Sequence, residues 1–191
     1  MFVKICGLKT EESVTAAVEA GADAIGFVFA NNSSRQVDVA TAKRLRQLIP
    51  NHVRVVGVFL DPTLDEVETA ITCGLTDIQL HRRTLPLETF RQFNLPIIEA
   101  SSKTEADIVL LDAPTPGSGE TLDWLQLERP QRTFWLAGGL TADNVRQAMH
   151  DVRPDGVDVS SGVETDGEKD IDKIRTFIRR AKEETPCTHN Q

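Results

Sequence analysis

Three cysteines, Cys6, Cys73 and Cys187, are all that the 191 residues contain. They are too few and too scattered for a disulfide framework or a CxxC metal site, so a reduced, cytoplasmic protein is the simplest expectation. No apolar run reaches the roughly 18 residues that a membrane-spanning helix needs, and no charged n-region with an apolar stretch opens the chain as a secretory signal would. Positive charge is also short. The net charge of −8 argues against a nucleic-acid partner, for which a basic patch is expected; an anionic ligand would have to be held by local groups. The dinucleotide pattern GxGxxG is missing after the first apolar segment.

What is present is an alternation of short apolar segments and amphipathic ones. Phe2 to Cys6, Ala24 to Phe29, Val53 to Leu60, Asp77 to His81, Pro96 to Ala100, Ile108 to Leu111, Thr133 to Ala137 and Val157 to Val159 read as strands. Helices are expected over Thr10 to Ala20, with Thr10 as N-cap and Gly21 as the stop, and over Val39 to Ile49, Leu64 to Cys73 and Pro86 to Phe93. Two more follow, Thr141 to His150, capped by Thr141, and Asp170 to Lys182. Such βα alternation means a parallel sheet with helices outside it. Eight units fit a small closed (β/α)8 barrel, an α/β fold, better than an open sheet. Only Ser101 to Asp107 separates the fifth and sixth strands, too short for an ordinary helix of about 11 residues, so the fifth helix should be shortened or missing. One domain over 1–191 is expected, long enough to hide roughly 70% of its unfolded surface. The polar residues 183–191 read as a frayed tail.

In barrels of this kind the active site gathers where the strands end. The strand ends carry Cys6-Gly7, His81, Asp112, Gly138-Gly139 and Asp158 followed by Ser160-Ser161-Gly162, with Arg35 soon after the second strand. A free cysteine is most often a small buried hydrophobe, but one at a strand tip above an inward Lys4 reads as the floor of a site. Lys4 cannot be left unpaired inside; Asp158 and Glu99 are its candidate partners. Asp112 would face Cys6 across the mouth, an arrangement suited to an acid and a base on one substrate. The two glycine loops follow the last two strands, where backbone amides and a short helix starting near Gly162 can take a phosphate. Arg35 suits a planar carboxylate held by two parallel hydrogen bonds. His81 has no second ligand at metal spacing, so it reads as a rim histidine beside substrate or a structural one. Trp124 and Trp135 are expected in the packed shell.

Taken together and in order, Lys4-Ile5-Cys6-Gly7-Leu8, Gly26-Phe27-Val28-Phe29, Ser33-Ser34-Arg35, Val56-Gly57-Val58-Phe59, Gln79-Leu80-His81, Leu110-Leu111-Asp112, Asp123-Trp124, Leu136-Ala137-Gly138-Gly139-Leu140 and Asp158-Val159-Ser160-Ser161-Gly162-Val163-Glu164 resemble the phosphoribosylanthranilate isomerase family of tryptophan biosynthesis, over nearly the whole chain. The resemblance implies an Amadori rearrangement of a phosphorylated sugar substrate without metal or organic cofactor, by a monomer or homodimer. It implies Asp112 as general acid, Cys6 as general base, Arg35 on the anthranilate carboxylate, Asp158 on the sugar hydroxyls and the glycine loops on the phosphate. Three residues or segments depart from the family pattern: Ser34 where proline is usual, Arg82 where glycine is usual, and the loop Gly117-Ser118-Gly119-Glu120. The alternatives are a sister barrel of histidine biosynthesis, which is expected to carry a carboxylate in place of Cys6, and a binding barrel without turnover.

Overall fold

The computed structural model describes residues 1–112 and 129–183. Expectations for Asp123-Trp124, the Gly117-Ser118-Gly119-Glu120 loop and the tail 184–191 therefore lie outside the described residues. Eight strands, β1 Phe2–Cys6, β2 Ala24–Val28, β3 Arg54–Leu60, β4 Asp77–His81, β5 Ile97–Glu99, β6 Ile108–Leu111, β7 Phe134–Leu136 and β8 Gly156–Val159, pair in parallel in chain order. β8 returns to β1, with Lys4 opposite Asp158, and the sheet closes into a (β/α)8 barrel.

The period of two in each strand sorts its side chains into two cores. Outward residues such as Val3, Ile5, Ile25, Phe27, Val55 and Val157 pack against the helices, together with Leu45, Val67 and Phe177. Inward residues fill the barrel itself: Cys6, Ala24, Val56, Val58, Ile98, Leu110 and Trp135. Trp135 is thus inside the barrel and not in the shell, a correction to the sequence reading. It stacks on Phe2 with ring centroids 4.7 Å apart. The Arg54 guanidinium lies 5.7 Å and 5.4 Å from the two ring centres and pairs with buried Asp77. This cluster closes the floor opposite the strand tips.

Among the described residues the helices are α1 Glu11–Glu19, α2 Val39–Arg46, α3 Leu64–Ile71, α4 Leu87–Phe90, α5 Val145–Val152 and α6 Ile171–Lys182. Thr10 caps α1 by accepting the Ser13 N–H, and Thr63 with Glu66 forms a capping box on α3. α6 buries Ile174, Phe177, Ile178 and Ala181, the spacing of one helical face. No helix stands between β5 and β6, as the short connection requires. The α5 boundary differs from expectation: Thr141 accepts the Asp143 N–H, and the turn over 141–144 delays the helix to Val145.

After β8 comes a 3-10 turn, Ser161–Val163, and then a hairpin that sequence reading missed, β9 Glu164–Thr165 with β10 Glu168–Lys169. Its turn, Asp166-Gly167, has φ of 52° and 82°, the left-handed pair that a tight two-residue hairpin requires. Among the described residues no helix is long and apolar enough to cross a membrane.

Candidate active site

A cavity of about 730 Å³ opens at the C-terminal ends of the strands. All ten sequence candidates line it: Cys6, Arg35, His81, Asp112, Gly138, Gly139, Asp158, Ser160, Ser161 and Gly162. Cys6 ends β1 and Asp112 follows β6, two strands separated by two others around the ring, so they enter the cavity from different sides.

Lys4 is wholly buried, and its ammonium donates to both carboxylate oxygens of Asp158 at 2.9 and 3.0 Å. Glu99, the other candidate, pairs with Arg83 at 2.7 Å, because β5 stands across the ring from β1. Burial opposes the Lys4 charge, but Asp158 and Cys6 outweigh it and its pKa lies above the ordinary value. Burial pushes the Cys6 thiol up, with the Lys4 charge working against that shift. Cys73 is buried elsewhere, and its thiol is pushed up to about 11 by burial.

His81 is held neutral: burial, then the Lys4 charge, lowers its pKa to about 4. The Gln79 amide nitrogen lies 2.8 Å from His81 Nε2, and the buried Gln79 Oε1 has no partner among the described residues. Next to His81, Arg82 has φ of 56°. That left-handed conformation costs a residue with a Cβ roughly 1 kcal/mol, a physical reason for the glycine expected there.

The glycine loops are shaped by close approach. Gly138 and Gly139 both have positive φ, 81° and 65°. A Cβ on Gly162 would collide with the Leu140 carbonyl oxygen, so the two loops touch only because residue 162 has no side chain. Asn144 donates to the Gly139 carbonyl at 2.9 Å and fixes the first loop from behind.

Arg35 holds a carboxylate with two parallel hydrogen bonds, but the carboxylate is internal. Its Nε and Nη2 donate to Glu164 at 2.7 and 2.8 Å. The stem of Arg35 lies on Gly7, whose φ is 77° and whose added Cβ would meet Arg35 Cδ at 2.7 Å. Two hydrogen bonds hold the loop before Arg35: Lys9 donates to the Ser34 carbonyl, and Ser33 Oγ accepts the Arg35 N–H. Lys169 on β10, absent from the sequence reading, donates to Glu164 at 2.6 Å and to the Ser160 carbonyl at 2.8 Å. The Asp166-Gly167 pair was the signal that places it. Among the described residues, no cluster of three or more His, Cys, Asp or Glu side chains is placed to hold a metal.

The family model for N-(5′-phosphoribosyl)anthranilate (PRA) isomerase matches residues 3–180. The chain belongs to that family. It is 50% identical over 192 residues to the N-(5′-phosphoribosyl)anthranilate isomerase of Streptococcus mutans, covering 94% of this chain and 98% of the relative. A crystal structure of a phosphoribosylanthranilate isomerase with reduced 1-(o-carboxyphenylamino)-1-deoxyribulose 5-phosphate superposes with a TM-score of 0.82 at 35% identity, covering 95% and 98% of the two chains. A structure of monomers of the dimeric isomerase from Thermotoga maritima matches with a TM-score of 0.81, also at 35% identity and the same coverage.

Proposed function

We propose that the chain isomerises N-(5-phosphoribosyl)anthranilate to 1-(2-carboxyphenylamino)-1-deoxyribulose 5-phosphate by an Amadori rearrangement, with Asp112 as general acid and Cys6 as general base. The observation that carries the assignment is the shared cavity: a thiol and a carboxyl group on separate strands, with two glycine loops in the same wall.

Asp112 donates a proton to the ribose ring oxygen as the C1–O bond breaks and the nitrogen lone pair forms the C1=N iminium. The Cys6 thiolate then takes the C2 proton. The C–H electrons form C1=C2, and the iminium becomes a neutral amine. Ketonisation of this enol, in which the C2 hydroxyl gives up its proton and C1 gains one, gives the product. Burial disfavours the thiolate; the Lys4 ammonium and the positive iminium favour it at the moment it is needed. Backbone amides of the Gly138-Gly139 and Ser160-Ser161-Gly162 loops hold the phosphate. Asp158 meets the sugar hydroxyls while Lys4 holds it in place, neutral His81 packs beside the substrate, and Arg35 takes the anthranilate carboxylate.

We assign the reaction to one barrel domain working in the cytoplasm as a monomer or homodimer. The purified chain should quench phosphoribosylanthranilate fluorescence with turnover, and should leave phosphoribosyl aminoimidazole substrates of the sister barrels unchanged. Binding without fluorescence loss would overturn the enzymatic reading.

A further inference from the structure

Three charged side chains form a closed set beside the cavity. Glu164 receives Arg35 at 2.7 and 2.8 Å and Lys169 at 2.6 Å, and Lys169 also bonds the Ser160 carbonyl at 2.8 Å and its hydroxyl at 3.2 Å. The Lys169 and Glu164 side chains are 6% and 8% exposed, against 20% for Arg35. Of the three, Arg35 alone lines the cavity; Glu164 and Lys169 stand behind it. Lys173, nearby, donates to the Glu164 main-chain carbonyl and not to its carboxylate. The guanidinium that faces the ligand is therefore already occupied by a carboxylate of the protein, and that carboxylate has a second cation at its back.

We propose that Lys169 is a positioning residue that lets Arg35 exchange Glu164 for the carboxylate of the substrate. An arginine can turn its fork to a ligand only if the anion it leaves is not stranded. Removing one partner of a buried ion pair is strongly unfavourable because the other charge stays desolvated. Lys169 removes that obstacle: when Arg35 moves to the ligand, Glu164 keeps one short ion pair and Lys169 keeps its bonds to Ser160. The set carries a net positive charge of one before the exchange. It is matched to a ligand with one carboxylate at this wall. Burial pushes Lys169 down and raises Glu164, but Arg35 and Lys169 outweigh burial at Glu164 and hold it below the usual carboxylate range.

The inference rests on the proposed role of Arg35, and its test separates the two. Lys169→Met should raise KM for phosphoribosylanthranilate about tenfold or more, with kcat changed much less, whereas Lys169→Arg should stay near the parent. Lys169→Met combined with Glu164→Gln should recover most of that loss, since no buried anion is left to strand. Glu164→Gln alone should leave KM unchanged or lower it, because Arg35 is then free; this variant also covers the case in which Lys169→Met does not fold. The reduced product analogue should lose affinity in Lys169→Met, and its counterpart lacking the carboxylate should not. An unchanged KM in Lys169→Met, no recovery in the double variant, a raised KM in Glu164→Gln, or equal losses for both analogues would each overturn the exchange. If Arg35→Met leaves KM unchanged, the carboxylate role of Arg35 itself is wrong.

Discussion

Lys4 and Asp158 face each other in register across the seam where β8 closes on β1, and their ion pair is buried in the barrel. The same pair holds the seam and stands beside the Cys6 thiol. Removing one partner of such a pair costs roughly 3–5 kcal/mol. Lys4→Met should lower unfolding stability by about that amount in urea titration. Lys4→Met with Asp158→Leu should recover part of it, while remaining inactive. Equal stability of Lys4→Met and the double variant would mean that losing Lys4 does not leave a stranded Asp158 charge.

Positioned acid–base groups contribute about 10²- to 10⁴-fold in rate. Cys6→Ala and Asp112→Asn should each lower kcat by at least the lower figure, with KM nearly unchanged. Because burial holds the thiol above its ordinary value, kcat/KM should climb on the alkaline side of the profile as Cys6 loses its proton. Near-normal turnover by either variant would remove that residue from the mechanism.

The contact between Gly162 and the Leu140 carbonyl leaves no room for a methyl group. Gly162→Ala must therefore push the two loops apart at the proposed phosphate site. KM should rise by about tenfold or more, and inorganic phosphate should become a weaker competitive inhibitor. An unchanged inhibition constant for phosphate would place the phosphate elsewhere in the cavity.

His81 binds its proton less readily in the fold than in the unfolded chain, with a pKa of about 4 against an ordinary 6.5. The unfolded state therefore takes up more protons over that interval, so stability is full above pH 6.5 and falls as pH drops toward 4. His81→Gln should flatten this part of the stability profile, measured by urea midpoints at stepped pH. A slope unchanged by the substitution would assign it to other groups.

Most of the barrel was legible because its strands are buried on both faces, and continuous apolar runs such as Ala24-Ile25-Gly26-Phe27-Val28 say so directly. The candidate site was legible for a related reason: polar residues at strand ends stand out against apolar strand bodies. Partner choice was not. Lys4 had two eligible carboxylates, and only ring closure brings Asp158 beside it while carrying Glu99 to Arg83. The internal partner of Arg35, Glu164, lies 129 positions away in the chain, a distance over which no local pattern operates. The hairpin carrying Lys169 was missed because each of its strands has two residues, too few for alternation to show.

The floor cluster gives the protein an optical handle on its own closure. The chain has no tyrosine and two tryptophans, so after Trp124→Phe all indole emission comes from Trp135, which packs against a phenyl ring and a guanidinium. That indole sits at the end of the barrel remote from the ligand. Its emission would report whether the staves are joined, and a substitution at the mouth that dims catalysis without shifting that spectrum has left the cask intact.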